Sequence, residues 1–185
     1  SYFLRFDPKL WAAQQPYPPL GTLYAAAVLR QAGYAVALFD AMLAESEAEW
    51  AAALDAARPR FAVLYEDNFN YLSKMCLLRM REAAFTMIRM AAERGCAVIV
   101  CGSDASDRAP AYLEAGADYV LLGEGEATLV ELIDSLSGKT DTNPGAIAGL
   151  AWLEGGRARQ NPRRPPLADL DALPFPAWDL VDVER

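Results

Sequence analysis

Histidine is absent from all 185 residues, and that absence removes a whole range of chemistry. Imidazole is the usual general acid/base near neutral pH and the commonest metal ligand. Ser-His-Asp hydrolysis, Cys-His proteolysis and His-ligated zinc are therefore excluded within this chain. Cysteine is scarce: Cys76, Cys96 and Cys101 stand 20 and 5 residues apart, which fits neither a CxxC metal pair nor a dense disulfide framework. They read as reduced thiols. Basic residues are outnumbered, 17 against 25 acidic ones, for a net charge of −8, which disfavours attraction to nucleic acid or to an anionic membrane. No apolar run approaches the ~18–20 residues needed to span a bilayer, and no basic-then-apolar leader precedes a cleavage site. The expectation is a soluble, cytoplasmic chain with no nucleic-acid partner and no membrane span.

What remains is the balance of a globular domain, 54% hydrophobic, 23% charged and 10% aromatic. At roughly 150 residues per domain the length predicts one domain with a short appendage. The chain begins at Ser1 inside an apolar stretch, Tyr2-Phe3-Leu4, so a first strand cut short is expected there.

Gly33 closes a good helix over Pro19–Ala32. Tyr34–Phe39 reads as a short apolar strand ended by Asp40, and Glu45–Ala57 as a helix broken by Arg58-Pro59-Arg60. Phe61–Tyr65 is a buried strand leading into the polar loop Glu66-Asp67-Asn68. Tyr71–Arg94 contains good helix formers without Pro or Gly. Its Met75, Met80, Met87 and Met90, with Leu72 and Phe85, form a stripe expected in the core. Ala97–Cys101 is the next strand, Ala109–Glu114 a helix, Asp118–Leu122 a strand, and Thr128–Ser137 a helix ended by Gly138.

Strands alternating with helices of this length predict a doubly wound, Rossmann-like parallel sheet of at least four strands. Beyond it, Ile147–Leu153 and Arg157–Gln160 flank a Gly155-Gly156 turn and read as a hairpin. Residues 161–178, carrying Pro162, Pro165, Pro166, Pro174 and Pro176, read as an extended linker without packing of its own. The division expected is 1–140 for the sheet domain and 141–185 for hairpin and linker.

Open parallel sheets bind ligands outside the carboxyl ends of their strands. Four loops qualify: Tyr17–Gly21 before the first helix, with Tyr17, Pro19, Leu20 and Gly21; Glu66–Asn70, with Glu66, Asp67 and Asn68; Gly102–Asp107, with Gly102, Ser103 and Asp104; and Gly123, Glu124, Gly125 and Glu126. Gly102 and Gly123 either let a bulky ligand approach the backbone or simply turn the chain. The last loop is not a GxGxxG nucleotide fingerprint, because Thr128 stands at the third glycine position. Its two carboxylates would repel a phosphate, and as neighbours in a first helical turn they need not converge on one substrate. Catalytic residues are expected to be absent, as is a metal-ligand set.

The order of these motifs resembles a known family. Pro18-Pro19-Leu20-Gly21-Thr22-Leu23-Tyr24-Ala25-Ala26, Leu29–Gly33, Ala35–Asp40, the run Gly116–Leu129 and Leu170–Pro176 together look like the amino-terminal cobalamin-binding-type domain of radical S-adenosylmethionine enzymes. The resemblance implies a flavodoxin-like fold with cobalamin at the carboxyl edge of the sheet, held by the four loops named above. It also implies a radical barrel elsewhere in the protein as intramolecular partner, with S-adenosylmethionine and a 4Fe-4S cluster on a CxxxCxxC motif that this chain lacks. By itself the chain is then a non-catalytic domain of an enzyme of methylation, cyclisation or related radical modification. The DxHxxG motif that ligates cobalt from below is missing, so no His lower ligand comes from this chain. The Gly-Gly usual after the fourth strand stands as Cys101-Gly102, and the small Ser/Thr segment after the third as Glu66-Asp67-Asn68. Two alternatives stay open: a degenerate Rossmann-like interaction or substrate-gating module that binds no cobalamin, and a stand-alone flavodoxin-like domain, against which the Pro-rich tail counts.

Overall fold

Successive side chains of a strand point to opposite faces of the sheet, so a continuously apolar strand must be covered on both. Ala97–Gly102 meets that demand. Val98 and Val100 enter one core with Ala62, Leu64, Ile88, Tyr112 and Leu113, while Ile99 and Cys101 enter a second with Leu29, Leu121, Leu129, Leu132 and Leu150. The structure, a computed structural model, describes residues 17–66 and 77–181.

In chain order the elements are α1 (Leu20–Gln31), α2 (Glu47–Ala57), β1 (Phe61–Glu66), α3 (Leu77–Ala92), β2 (Ala97–Gly102), α4 (Ser103–Asp107), α5 (Ala109–Glu114), β3 (Tyr119–Leu121), α6 (Glu126–Leu136), β4 (Leu150–Glu154) and β5 (Arg157–Gln160). Helices α2 to α5 feed the first core, and α1 and α6 the second. The strands form one sheet in the order β1-β2-β3-β4-β5. β1, β2 and β3 run parallel, with Glu66 opposite Gly102 and Cys101 opposite Leu121. β4 returns antiparallel along β3, and β5 along β4. The α/β sandwich with a carboxyl-terminal hairpin is the architecture that the alternation predicts.

Two expectations need correction. Residues 34–40 run without helix or strand assignment and join no ladder among the described residues, so the parallel part of the sheet has three described strands rather than four. Tyr34, Val36, Leu38 and Phe39 are only half-buried, Ala35 and Ala37 are exposed, and Tyr34–Phe39 and Phe61–Val63 both line a cavity of about 500 Å³. Nor is the tail unpacked. Its prolines remove ladder donors, yet Ala177 is only 6% exposed against Ala26 and Ala27, and its N–H donates to the Leu23 carbonyl at 3.2 Å. Arg30 grips Asp179 with two contacts of 2.8 Å, and Arg164 reaches Thr128 and Glu131 on α6.

Met87 is buried and Met80 and Phe85 pack against the same core, as the stripe predicts, whereas Met90 is half-buried and belongs to neither core. Met75, Leu72 and the expected strand at Tyr2–Leu4 lie outside the described residues. Among the described residues no helix is long and apolar enough to cross a membrane.

Candidate functional site at the carboxyl edge of the sheet

Because β1, β2 and β3 are parallel, their carboxyl ends bring Glu66, Gly102 and the turn after Leu121 to one edge. The first turn of α1 reaches the same edge, where Thr22 Oγ1 donates to the Tyr65 carbonyl at 3.4 Å. Tyr17 and Pro19 line, with Glu66, Trp50 and Met80, an apolar cavity of about 130 Å³. Leu20 is exposed, and Gly21 follows it within the helix. Three of the four predicted loops thus contribute described residues to one edge with the fourth represented by Glu66; Asp67 and Asn68 lie outside the described residues.

A polar cluster sits on the α3–α5 side of this edge. The Tyr112 hydroxyl lies 2.9 and 3.0 Å from the two Glu66 carboxyl oxygens and 2.9 Å from Asp104 Oδ2. Arg81 clamps Asp104 through Nε and Nη2, both at 2.6 Å. Burial pushes the Glu66 carboxyl up to about 7, opposed by the Tyr112 hydrogen bond and reinforced by the Asp104 charge. Burial also works against the charge on Asp104, but Arg81 and Tyr112 outweigh it and hold Asp104 below the usual carboxylate range. Desolvation first, then the Glu66 charge, raises the Tyr112 phenol. Ser103, the first residue of α4, is exposed beside this cluster.

A second cluster occupies the other side. The Tyr65 hydroxyl donates to Glu126 Oε1 at 2.9 Å, joining the end of β1 to the start of α6. A Cβ on Gly125 would stand 2.5 Å from Cys101 Sγ and 2.8 Å from Tyr65 Oη, so this glycine makes room for both groups. Burial pushes the Cys101 thiol up to about 12, which leaves it an unreactive thiol. Glu124 turns away from its neighbour and accepts the Leu167 N–H at 2.8 Å. The two loop carboxylates therefore do not converge. Gly123, at φ 85°, needs the left-handed conformation, and its N–H donates to Ser106 Oγ at 3.0 Å.

The two glycines singled out for close approach differ. At Gly123 nothing lies within 4 Å of where a Cβ would stand. At Gly102, whose φ of 160° is extended backbone, that space is taken by Glu66, with its Cβ 2.7 Å and its Oε2 3.0 Å away. The reading of Gly102 as a residue that simply turns the chain is thus corrected, because its backbone is extended and the glycine accommodates the neighbouring strand's side chain.

Arg81, Tyr112 and Tyr65 belong to the site without having been singled out from sequence, whereas Ser106 falls in the segment Gly102–Asp107, expected as a loop and found to be helical from Ser103 to Asp107. Tyr112 is fully buried on a helix with Ala109 and Leu113, and a buried phenol needs a partner, but only the helix itself was readable in sequence. Nothing in the spacing marks Arg81.

As a donor set, the edge offers no imidazole, and among the described residues Glu66, Asp104, Glu124 and Glu126 are engaged by protein partners. It does offer open space at Gly123 and an apolar cavity beside Tyr17 and Pro19. These features leave the edge open to a ligand held by backbone and packing, with no imidazole to place on a metal.

The chain is 38% identical over 68 residues, 37% of its length, to the "uncharacterized methyltransferase PH0819" of Pyrococcus horikoshii, and spans 14% of that protein. Among solved structures it is similar to the cobalamin-dependent S-adenosylmethionine radical enzyme OxsB, with aqua-cobalamin and S-adenosylmethionine bound, at a TM-score of 0.69 and 18% identity, covering 92% of this chain and 23% of that one. It is similar too to the radical S-adenosylmethionine methyltransferase TsrM from Kitasatospora setae, at a TM-score of 0.61 and 22% identity, covering 80% of this chain and 28% of that one. These two likenesses concern the fold. The sequence model of the B12 binding domain matches residues 11–133, a span that takes in the start of α1, the carboxyl ends of β1 to β3 and most of α6, and so the chain belongs to the B12-binding domain family.

Proposed function

We propose that the chain is the cobalamin-holding domain of a B12-dependent radical S-adenosylmethionine enzyme. The observation that carries the reading is the coincidence of the family match, residues 11–133, with the described loops that meet at the carboxyl edge of the parallel strands. The backbone of Gly102–Asp104 and Gly123–Gly125, with Tyr17, Pro19, Leu20 and Gly21, would hold the corrinoid. The side chains of Glu66 and Glu126 stay tied to Tyr112 and Tyr65. Cobalamin, when bound, supplies a cobalt centre for transfer of a carbon group or an electron. The chain's own contribution is binding, orientation and exclusion of water, since its buried thiols and phenols are held in their neutral forms.

In this reading residues 1–140 are the cofactor unit, and 141–185 lead toward a radical barrel elsewhere in the protein. That barrel would carry S-adenosylmethionine and a 4Fe-4S cluster and would be the intramolecular partner. The reaction would be a methylation, cyclisation or related radical modification in the cytoplasm. Support comes from the similar structures, OxsB with aqua-cobalamin and S-adenosylmethionine bound and TsrM with cobalamin and a 4Fe-4S cluster bound. One observation favours a second reading, a module that binds no cobalamin: Glu66 fills the room beside Gly102.

Equilibrium dialysis of the chain against hydroxocobalamin separates the two. Saturable uptake approaching one equivalent supports the first reading, and protein that stays folded by circular dichroism yet takes up none supports the second.

A further inference from the structure

Residues 34–39 follow α1 and lead through α2 into β1. They run the same way as β1, because the cavity at the carboxyl edge takes Phe39 and Asp40 from one and Tyr65 and Glu66 from the other. β2 pairs with one side of β1, while its other side and residues 34–39 join no ladder among the described residues. Between them lies the cavity of about 500 Å³, walled by both segments and also by Leu29 of α1 and by Trp50 and Leu54 of α2. The slot thus reaches helices of both faces.

Such walls ask for one kind of occupant. Extended backbones present rows of N–H and C=O groups, and burying these without partners costs free energy. An aliphatic molecule would answer neither row. A strand set about 4.7–4.9 Å from each neighbour bonds to both and fills the space toward either face with its alternating side chains.

The hand of the crossovers says which strand this is. Parallel strands are joined by right-handed crossovers almost without exception, so crossovers advancing in one direction along a sheet share a face, and those advancing in opposite directions lie on opposite faces. α3 leads from β1 to β2, α5 from β2 to β3, and α2 from residues 34–39 inward to β1, and all three feed the first core. α1 feeds the second. It must then advance outward, which sets the strand before α1 on the inner side of residues 34–39. β1, β2 and β3 are paired with one another, so the place left on that side is the slot.

We propose that the slot seats residues 2–6, Tyr-Phe-Leu-Arg-Phe, as a strand parallel to β1 and bonded on both sides. Residues 7–16 can span at most about 33–36 Å, ample for a link to Tyr17, which lines the carboxyl-edge cavity. Alternation puts Tyr2, Leu4 and Phe6 on one face and Phe3 and Arg5 on the other. Arg5, near the carboxyl end, belongs on the face of Leu64 and Glu66, where Asp40 and Glu66 line one cavity. Burial raises both of those carboxyls, and a guanidinium answers them. The proposal concerns the sheet and does not rest on cobalamin.

The test uses the whole chain without ligand. Through-space NMR contacts are expected between the backbone of residues 2–6 and those of both residues 34–39 and Phe61–Glu66, within one molecule. Contacts with one neighbour alone or with neither overturn the proposal. So do contacts seen only between labelled and unlabelled chains, which would make the occupant a second copy. In Leu4→Asp, a charge in the slot should speed exchange of the β1 amides that face it by about tenfold or more, leaving β2 and β3 nearly unchanged. Equal β1 exchange in the two proteins overturns the proposal as well. Should Leu4→Asp loosen the whole sheet, the wild-type contacts still decide.

Discussion

At Gly125 the demand on the residue is steric, since its φ of −97° suits any amino acid. A methyl group there would stand 2.5 Å from Cys101 Sγ and 2.8 Å from Tyr65 Oη, both held in a buried cluster. Overpacking of this kind costs about 1–3 kcal/mol, so Gly125→Ala should lower the urea midpoint by that equivalent and weaken the Tyr65–Glu126 link. An unchanged midpoint would show that the loop yields. Glu66 makes a prediction about pH. A carboxyl raised from its ordinary 4.5 to about 7 in the folded state binds its proton more tightly folded than unfolded, so its contribution is fully present below about 4.5 and is lost as pH rises toward 7. Asp104, lowered from 3.8, has the opposite sign, and its contribution is lost as pH falls through the acid range. Urea midpoints measured from pH 4 to pH 8 should therefore decline toward neutrality in the wild type, and much less in Glu66→Gln. Parallel profiles for the two would contradict the assignment. Neither glycine's reason was readable in sequence: Gly102 and Gly125 announce permissiveness, but Glu66, Cys101 and Tyr65 lie up to 60 positions away. The Arg81–Asp104–Tyr112–Glu66 cluster draws one residue from each of four elements, and no local pattern marks such a set.

The elements were more readable than the contacts between them. Continuous apolar runs at β1 and β2 and glycines after α1, α3 and α6 carry their own signal, because burial on both faces and helix termination are local demands. The segment 34–40 has the same apolar character, but a ladder depends on where a partner's backbone lies, which the segment cannot encode. The tail erred the other way. Its prolines predict an extended path, which it follows except for single 3-10 turns at Leu170–Ala172 and Trp178–Leu180, while the pins that hold it, Arg30–Asp179, Arg164–Glu131 and Ala177 against Ala26 and Ala27, are long-range. If those pins fix the tail, Ala177→Asp, which places a charge at a site 6% exposed, should release it. Limited proteolysis should then cut residues 163–176 at least severalfold faster than in the wild type, while the thermal midpoint of the sheet domain changes little. Equal cleavage rates would show that the arginines suffice.

For the whole molecule, the parallel strands, the two cores and the loops converge on one edge, and the family match runs over that same stretch. The chain spans 14% of the methyltransferase relative and 23% and 28% of the two radical enzymes, so the account concerns a cofactor edge rather than a complete reaction. The central proposal is positional: cobalamin would rest on the carboxyl ends of the strands without a histidine from this chain. Hydrogen–deuterium exchange of the chain with and without saturating hydroxocobalamin tests this most directly. The account predicts slowed exchange at Leu20–Thr22, Gly102–Asp104 and Gly123–Glu126, with the amino ends of the strands near Phe61, Ala97 and Tyr119 unchanged. Protection at those amino ends, or none anywhere despite bound cobalamin, would contradict it.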